Sequence, residues 1–210
     1  MSMSLKNIEE LDAVQLDVLK ELGNIGSGNA ATSLASFMGQ EININIPEVK
    51  ILGFNEVAEY VGGPEKIVMG LLINIEDDIN GMILYILDDE FVKSVVGTFF
   101  GKEFTSFTDL DEMEQSAFGE IGNIMASSYV NALASMTGMS INISTPSICV
   151  DMAGAILSVP SAKFAEIGDK VLFIDDSFGI GSDMNKVKSN MILVPEMDSL
   201  NKLFKRLGVM

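Results

Sequence analysis

The sequence predicts an α+β domain with pseudo-two-fold symmetry, a duplicated unit in which two long motif-bearing helices lie over a shared antiparallel β-sheet. Three observations carry this prediction. The chain repeats itself at an offset of 99 residues, each copy opens with a helical period that switches to alternation, and each copy closes on a further helix. Setting Glu21-Leu22-Gly23-Asn24-Ile25 over Glu120-Ile121-Gly122-Asn123-Ile124 also brings Leu34-Ala35-Ser36 onto Leu133-Ala134-Ser135, Gly39 onto Gly138, Ile42-Asn43-Ile44 onto Ile141-Asn142-Ile143, and Pro47 onto Pro146. Twelve of the 31 residues from Leu19 to Val49 are identical to their counterparts, more than random register gives. Residues 1–210 are therefore expected to form one domain of two homologous halves, about 7–101 and 108–208, with the boundary at Gly101–Thr108.

In the first half, Asn7 or Asp12 can cap a helix in which Leu11, Val14, Val18, Leu22 and Ile25 follow the helical period, and Gly39 ends it. Its counterpart is capped by Thr108 or Asp109, runs through Met113, Phe118, Ile121, Ile124 and Leu133, and closes at Gly138. Alternation follows: Ile42, Ile44 and Ile46 share one face of a strand, as do Ile141 and Ile143, and these faces are expected to be buried. Ile67–Ile75 and Gly81–Leu87 then read as strands around a polar tract, with Asn80-Gly81 suited to a hairpin turn. Lys170–Asp175 and Met191–Pro195 flank a longer polar segment in the second copy. The closing helices are Asp88–Phe100 and Glu196–Leu207, ended by Gly101 and Gly208 at an offset of 107, which places about eight extra residues in the second half, near Ala153–Gly168.

Composition narrows the chemistry. The formal net charge is −17 with no basic cluster, which argues against nucleic acid and against an anionic membrane surface. No apolar stretch reaches the roughly 20 residues of a spanning helix, the first residues lack the pattern of a secretory signal, and one cysteine permits no internal disulfide; the expected compartment is the cytoplasm. There is no histidine, which removes the commonest general base and metal ligand. No metal site is expected, so chemistry must rest on carboxylates, amides, hydroxyls or groups brought by a partner.

Asp17, Glu21, Asn24 and Gly28 fall at i, i+4, i+7 and i+11, one stripe along a helix, and Ser116, Glu120, Asn123 and Ser127 repeat it. Continued over Ala31, Ala35 and Ala134, the stripe reads as a docking face. Polar residues on one helix face are ordinarily its solvated side. Asparagine is a mediocre helix former, however, and Gly23, Gly26 and Gly28 each cost about 1 kcal/mol against alanine, which a merely solvated face would not select. Close packing could account for Gly23 and Gly122. It does not account for Glu and Asn recurring at one place in both copies.

Other features read as structural. Gly23–Gly28 lacks the Gly-Lys-Ser/Thr of a phosphate loop. The pairs Asp77-Asp78, Asp88-Asp89 and Asp175-Asp176 read as turn residues or caps. The methionines read as core filling, and Cys149, between Ile148 and Val150, as a buried small hydrophobe.

One pattern is written twice: Asp or Ser, three residues, Glu, two residues, Asn, then 22 residues and Pro. It occurs as Asp17, Glu21, Asn24, Pro47 and again as Ser116, Glu120, Asn123, Pro146. It resembles the signature of the CheC/CheX/FliY family of chemotaxis phosphatases, over almost the whole chain. Both halves keep the Glu/Asn pair and the chain ends at Met210, so the resemblance is greatest to the CheC branch. The resemblance implies a response-regulator phosphatase that hydrolyses the aspartyl phosphate of a phosphorylated CheY-like receiver domain. It implies no cofactor of the chain's own, Mg²⁺ being supplied by the receiver, and CheD deamidase as a further partner. Asn24 and Asn123 would position the attacking water. Glu21 and Glu120 would pair with a lysine of the receiver, and Asp17, Ser116, Pro47 and Pro146 would support them. The alternative is a non-catalytic module of the chemotaxis or flagellar switch system that only binds a receiver or CheD.

Overall fold

A computed structural model describes residues 4–165, 168–180 and 183–210, with side chains except those of residues 44 and 183–186. The first half comprises α1 (Ala13–Met38), β1 (Ile42–Ile44), β2 (Glu48–Gly53), α2 (Phe54–Tyr60), β3 (Ile67–Asp77), β4 (Gly81–Leu87) and α3 (Asp89–Val95), the last prolonged by a π-helical turn, Val96–Phe100. The second half repeats the order as α4 (Glu112–Thr137), β5 (Ile141–Ile143), β6 (Ser147–Met152), α5 (Ala153–Lys163), β7 (Lys170–Ile180), β8 (Asp183–Pro195) and α6 (Met197–Leu207).

All eight strands join one antiparallel sheet in the order β1-β7-β8-β4-β3-β5, with β2 also on β7 and β6 also on β3. Exchanging the halves reproduces that order, so the pseudo-two-fold passes between β4 and β8, where Gly81 faces Pro195 and Leu87 faces Ser189. The halves exchange strands: β1 and β2 pair with β7, and β5 and β6 with β3. Strand β4 explains how the sheet is buried. Its Ile83, Tyr85 and Leu87 enter the core beneath α1, α4, α3 and α6, whereas Met82, Leu84 and Ile86 enter a second core with residues of α2 and α5. A continuous apolar run is what a strand covered on both faces requires.

The two long helices are built alike. Asp12 caps α1 in a capping box with Gln15, and Asp111 caps α4 in one with Glu114. Gly39 and Gly138 end them in the left-handed conformation, at φ 64° and 66°. Thr108 and Asp109, the predicted caps, instead lie in a short 3₁₀ turn, Phe107–Asp109, which Ser106 caps. Asn7 caps the corresponding turn Ile8–Glu10 before α1.

Several expected positions differ. Val14 and Met113, assigned to the inward face, are 58% and 72% exposed. The buried face of α1 is made largely by Leu19, Leu22, Gly23, Gly26, Ala30, Ala31 and Leu34, because α1 packs closely on α4 and small residues replace bulky ones. Ala31 is therefore core, not docking surface. Ile42 is buried, but Ile46 lies past the end of β1 and is 82% exposed; the side chain of Ile44 lies outside the described residues. Ile141 and Ile143 are half-buried, since β5 is a three-residue edge strand. At the β3–β4 hairpin Asp77 takes the positive φ, 84°, and Gly81 already belongs to β4. Gly81 has a different reason: a Cβ there would meet the Val194 carbonyl at 2.6 Å. Among the described residues the polar segment of the second copy is strand, residues 176–180 continuing β7 and residues 183–190 opening β8. Only part of the insertion lies near Ala153–Gly168, where α5 outruns α2; β8 is also longer than its counterpart β4.

Gly26 marks the closest approach of the helices. A Cβ on it would lie 2.7 Å from Tyr129 Cδ2 and 3.1 Å from Tyr129 Cα, whereas one on Gly28 would meet nothing within 4 Å. Gly26→Ala is therefore expected to destabilise the fold by about 1–3 kcal/mol despite alanine's helix propensity. Gly28→Ala should stabilise it by up to about 1 kcal/mol. Denaturant melts of the two variants check the contrast.

Candidate active site

Helices α1 and α4 pack against each other and bury their inner faces in the same core. Glu21 and Glu120 are exposed, while Asn24 and Asn123, one turn further along each helix, are half-buried. Each pair rests on close backbone packing. A Cβ on Gly23, beside Asn24, would be 3.6 Å from Pro47 Cγ and 3.2 Å from the Tyr129 hydroxyl; one on Gly122, beside Asn123, would be 2.8 Å from Leu71 Cδ1. Glycine at these places lets the helix settle on the strand and loop below it, which sets the height of the neighbouring asparagine.

The structure brings Ser116, Glu120 and Asn123 together with Ser144, Pro146 and Ile148 around an open groove of about 520 Å³. Pro146 lines this groove half-exposed, whereas Pro47 is buried against α1. In the first half the Oδ1 of Asn24 is shielded from solvent and accepts no hydrogen bond from the protein. The leading motif residues are engaged locally: Asp17 pairs with Lys20 at 2.9 Å, and the Ser116 hydroxyl donates to the Glu112 carbonyl at 2.7 Å. Among the described residues, no group of three or more Cys, Asp or Glu side chains is arranged to hold a metal ion. Among them, too, no helix is long and apolar enough to cross a membrane.

A buried polar contact joins α1 to β7. Asp176 is neither turn nor cap but sits within β7, 4% exposed, accepting a hydrogen bond from the Ser27 hydroxyl of α1 at 2.9 Å. Burial pushes its carboxyl up to about 7, and Asp175 adds to the rise, while the Ser27 hydrogen bond opposes it. Burial and the Asp176 charge likewise raise the Tyr129 and Tyr85 hydroxyls. The signal was present as alternation: Asp176 shares a parity with the core residues Leu172, Ile174 and Phe178. The other acid pairs do serve as read, Asp88 capping α3 and Asp77 and Asp78 accepting from Asn142 and Ser140 at the β3–β4 turn. Cys149 is exposed on β6 and not a core residue, because β6 is paired on one edge only.

A model of the CheC-like family matches residues 14–51 and 113–150, the two copies of the helix and the strands after it. Over 200 residues the chain is 32% identical to the CheY-P phosphatase CheC of Bacillus subtilis strain 168, covering 92% of this chain and 94% of that one. The chain belongs to the CheC-like family. Among solved structures, Thermotoga maritima FliY superposes on this CheC-like chain with a TM-score of 0.74 at 24% identity, covering 95% of this chain and 98% of that one. The FliM middle domain of H. pylori does so at 0.66 and 11% identity, covering 93% and 99%. These likenesses establish that the α+β architecture is shared.

Proposed function

We propose that this CheC-like chain is a phosphatase that hydrolyses the aspartyl phosphate of a phosphorylated CheY-like receiver domain in the cytoplasm, with one Glu/Asn pair acting in each half. The observation that carries the proposal is the duplicated stripe, in which an exposed glutamate and a half-buried asparagine stand together on both long helices. It is supported by the resemblance over nearly the whole length to a relative named as a CheY-P phosphatase.

An acyl phosphate is a reactive bond, so the catalyst mainly has to put water in line with it. Water attacks phosphorus, the phosphorus–oxygen bond to the receiver's aspartate breaks, the carboxylate leaves, and the water's proton ends on inorganic phosphate. Asn24 or Asn123 holds the water through its side-chain amide, a group that can accept from the water or donate to an oxygen nearby. No step requires a titrating base of this chain, which agrees with the lack of histidine. Glu21 and Glu120 reach the receiver's lysine as exposed carboxylates, and Mg²⁺ belongs to the receiver's own site. CheD deamidase is a second proposed partner.

The experiment is to follow the decay of a pre-phosphorylated receiver with and without a substoichiometric amount of the chain. A shorter half-life that reverts when the receiver's Mg²⁺ is chelated supports the phosphatase. An unchanged half-life at every concentration, together with retained binding, would favour a purely docking module.

A further inference from the structure

Val14 and Met113 have no role in the core, yet they are large apolar side chains held 58% and 72% exposed. Single exposed apolar residues are ordinary. Here the same position of the duplicated unit is exposed and apolar in both copies, 99 residues apart, and in both it lies on the working stripe. Val14, Asp17, Glu21 and Asn24 fall within about 80° around α1, and Met113, Ser116, Glu120 and Asn123 do the same around α4. Along each axis the apolar residue stands about 10 Å before the glutamate and about 15 Å before the asparagine. Along the stripe the residues between them are polar, so each helix presents an apolar point, then a carboxylate, then an amide.

We infer that Val14 and Met113 are the apolar anchors of receiver docking, each seating in an apolar depression of the receiver about two helical turns from the lysine that meets Glu21 or Glu120. The inference rests on the proposed phosphatase reading. Its occupant is the phosphorylated receiver because the anchor continues the Glu/Asn stripe on the same helix face, and a rigid helix fixes the distance between them. A charge pair alone orients a partner poorly, since one contact leaves it free to swivel. A second contact two turns away removes that freedom and holds the asparagine over the phosphoryl group. The unbranched thioether chain of Met113 adapts to the partner's surface, whereas Val14 offers a smaller, stiffer contact.

The test uses the full chain with one site silenced. In an Asn24→Ala background, Met113→Ser is expected to raise KM for the phosphorylated receiver roughly tenfold, the loss in kcat/KM falling on KM, and Met113→Leu to restore most of it. Val14→Ser in an Asn123→Ala background should behave in the same way. Both sites are exposed, so the thermal midpoints should stay within a few degrees of the parent. If Met113→Ser and Val14→Ser leave KM unchanged in parents that turn over, the anchors are refuted and the phosphatase stands. A loss confined to kcat would refute them too, while parents without turnover would remove the phosphatase reading on which they rest.

Discussion

Replacing Asn24 and Asn123 together by alanine is expected to return the lifetime of the receiver's aspartyl phosphate to nearly its unassisted value, while the receiver still binds. Each single replacement should leave one working half. The loss at a silenced site should be on the order of 10²-fold, the scale of effect when a reacting group is no longer held in place. Glu21→Ala and Glu120→Ala should act differently, weakening affinity as well as rate, because they remove a charge that meets the partner's lysine. Stopped-flow decay of the phosphorylated receiver, with titration of the chain against it, separates the two. The stability of the double asparagine variant should change little at Asn123, whose neighbours form an open groove. At Asn24 it should, if anything, rise, since the variant removes a shielded oxygen without a protein partner.

The second large effect concerns Asp176, which no step of the proposed reaction uses. Its carboxyl is raised from 3.8 to about 7 by burial. Between those values the folded chain binds a proton that the unfolded chain has released, so unfolding becomes easier as pH rises from about 4 to about 7, and the penalty is complete above 7. A shift of about three pH units corresponds to a ceiling of about 4 kcal/mol. Asp176→Asn keeps an oxygen to accept from Ser27 and cannot ionise. The variant should therefore be more stable than the parent at about pH 8, by on the order of 2–4 kcal/mol, and nearly equal to it at about pH 4.5. Urea melts at the two pH values measure the difference. Equal stability of variant and parent at the higher pH would show that the carboxylate is accommodated without cost.

The position of this residue shows where the sequence stopped being readable. Repetition at an offset of 99 was legible because Glu21, Asn24, Gly39, Ile42 and Pro47 each have an identical counterpart, and those identities brought the helix–strand order and both site pairs with them. What repetition cannot reveal is how the copies engage each other. That β1 and β2 lie on β7, and β5 and β6 on β3, is a long-range choice invisible to local period. From it follow the half-buried Ile141 and Ile143 and the exposed Cys149, all on edge strands. Val14 misled the helical period for a related reason. On a helix that packs against both a sheet and a second helix, Gly26 and Ala31 are the buried positions, and hydrophobicity no longer marks the inner face. Asp176 breaks the duplication itself, since its partner Ser27 corresponds to Ala126 in the other half. Features present in one copy only are the ones that comparing the copies cannot find.

The central claim is turnover, and it is tested most directly by counting inorganic phosphate. A receiver kept phosphorylated by excess small-molecule phosphodonor and Mg²⁺ is mixed with the chain at a small fraction of its concentration, and phosphate released above the receiver's own rate is measured over time. The account predicts many equivalents of phosphate per chain, at a rate proportional to the chain added, and loss of that excess in the Asn24→Ala, Asn123→Ala variant. Phosphate release that never exceeds the receiver's own rate, whatever amount of folded chain is added, would contradict it.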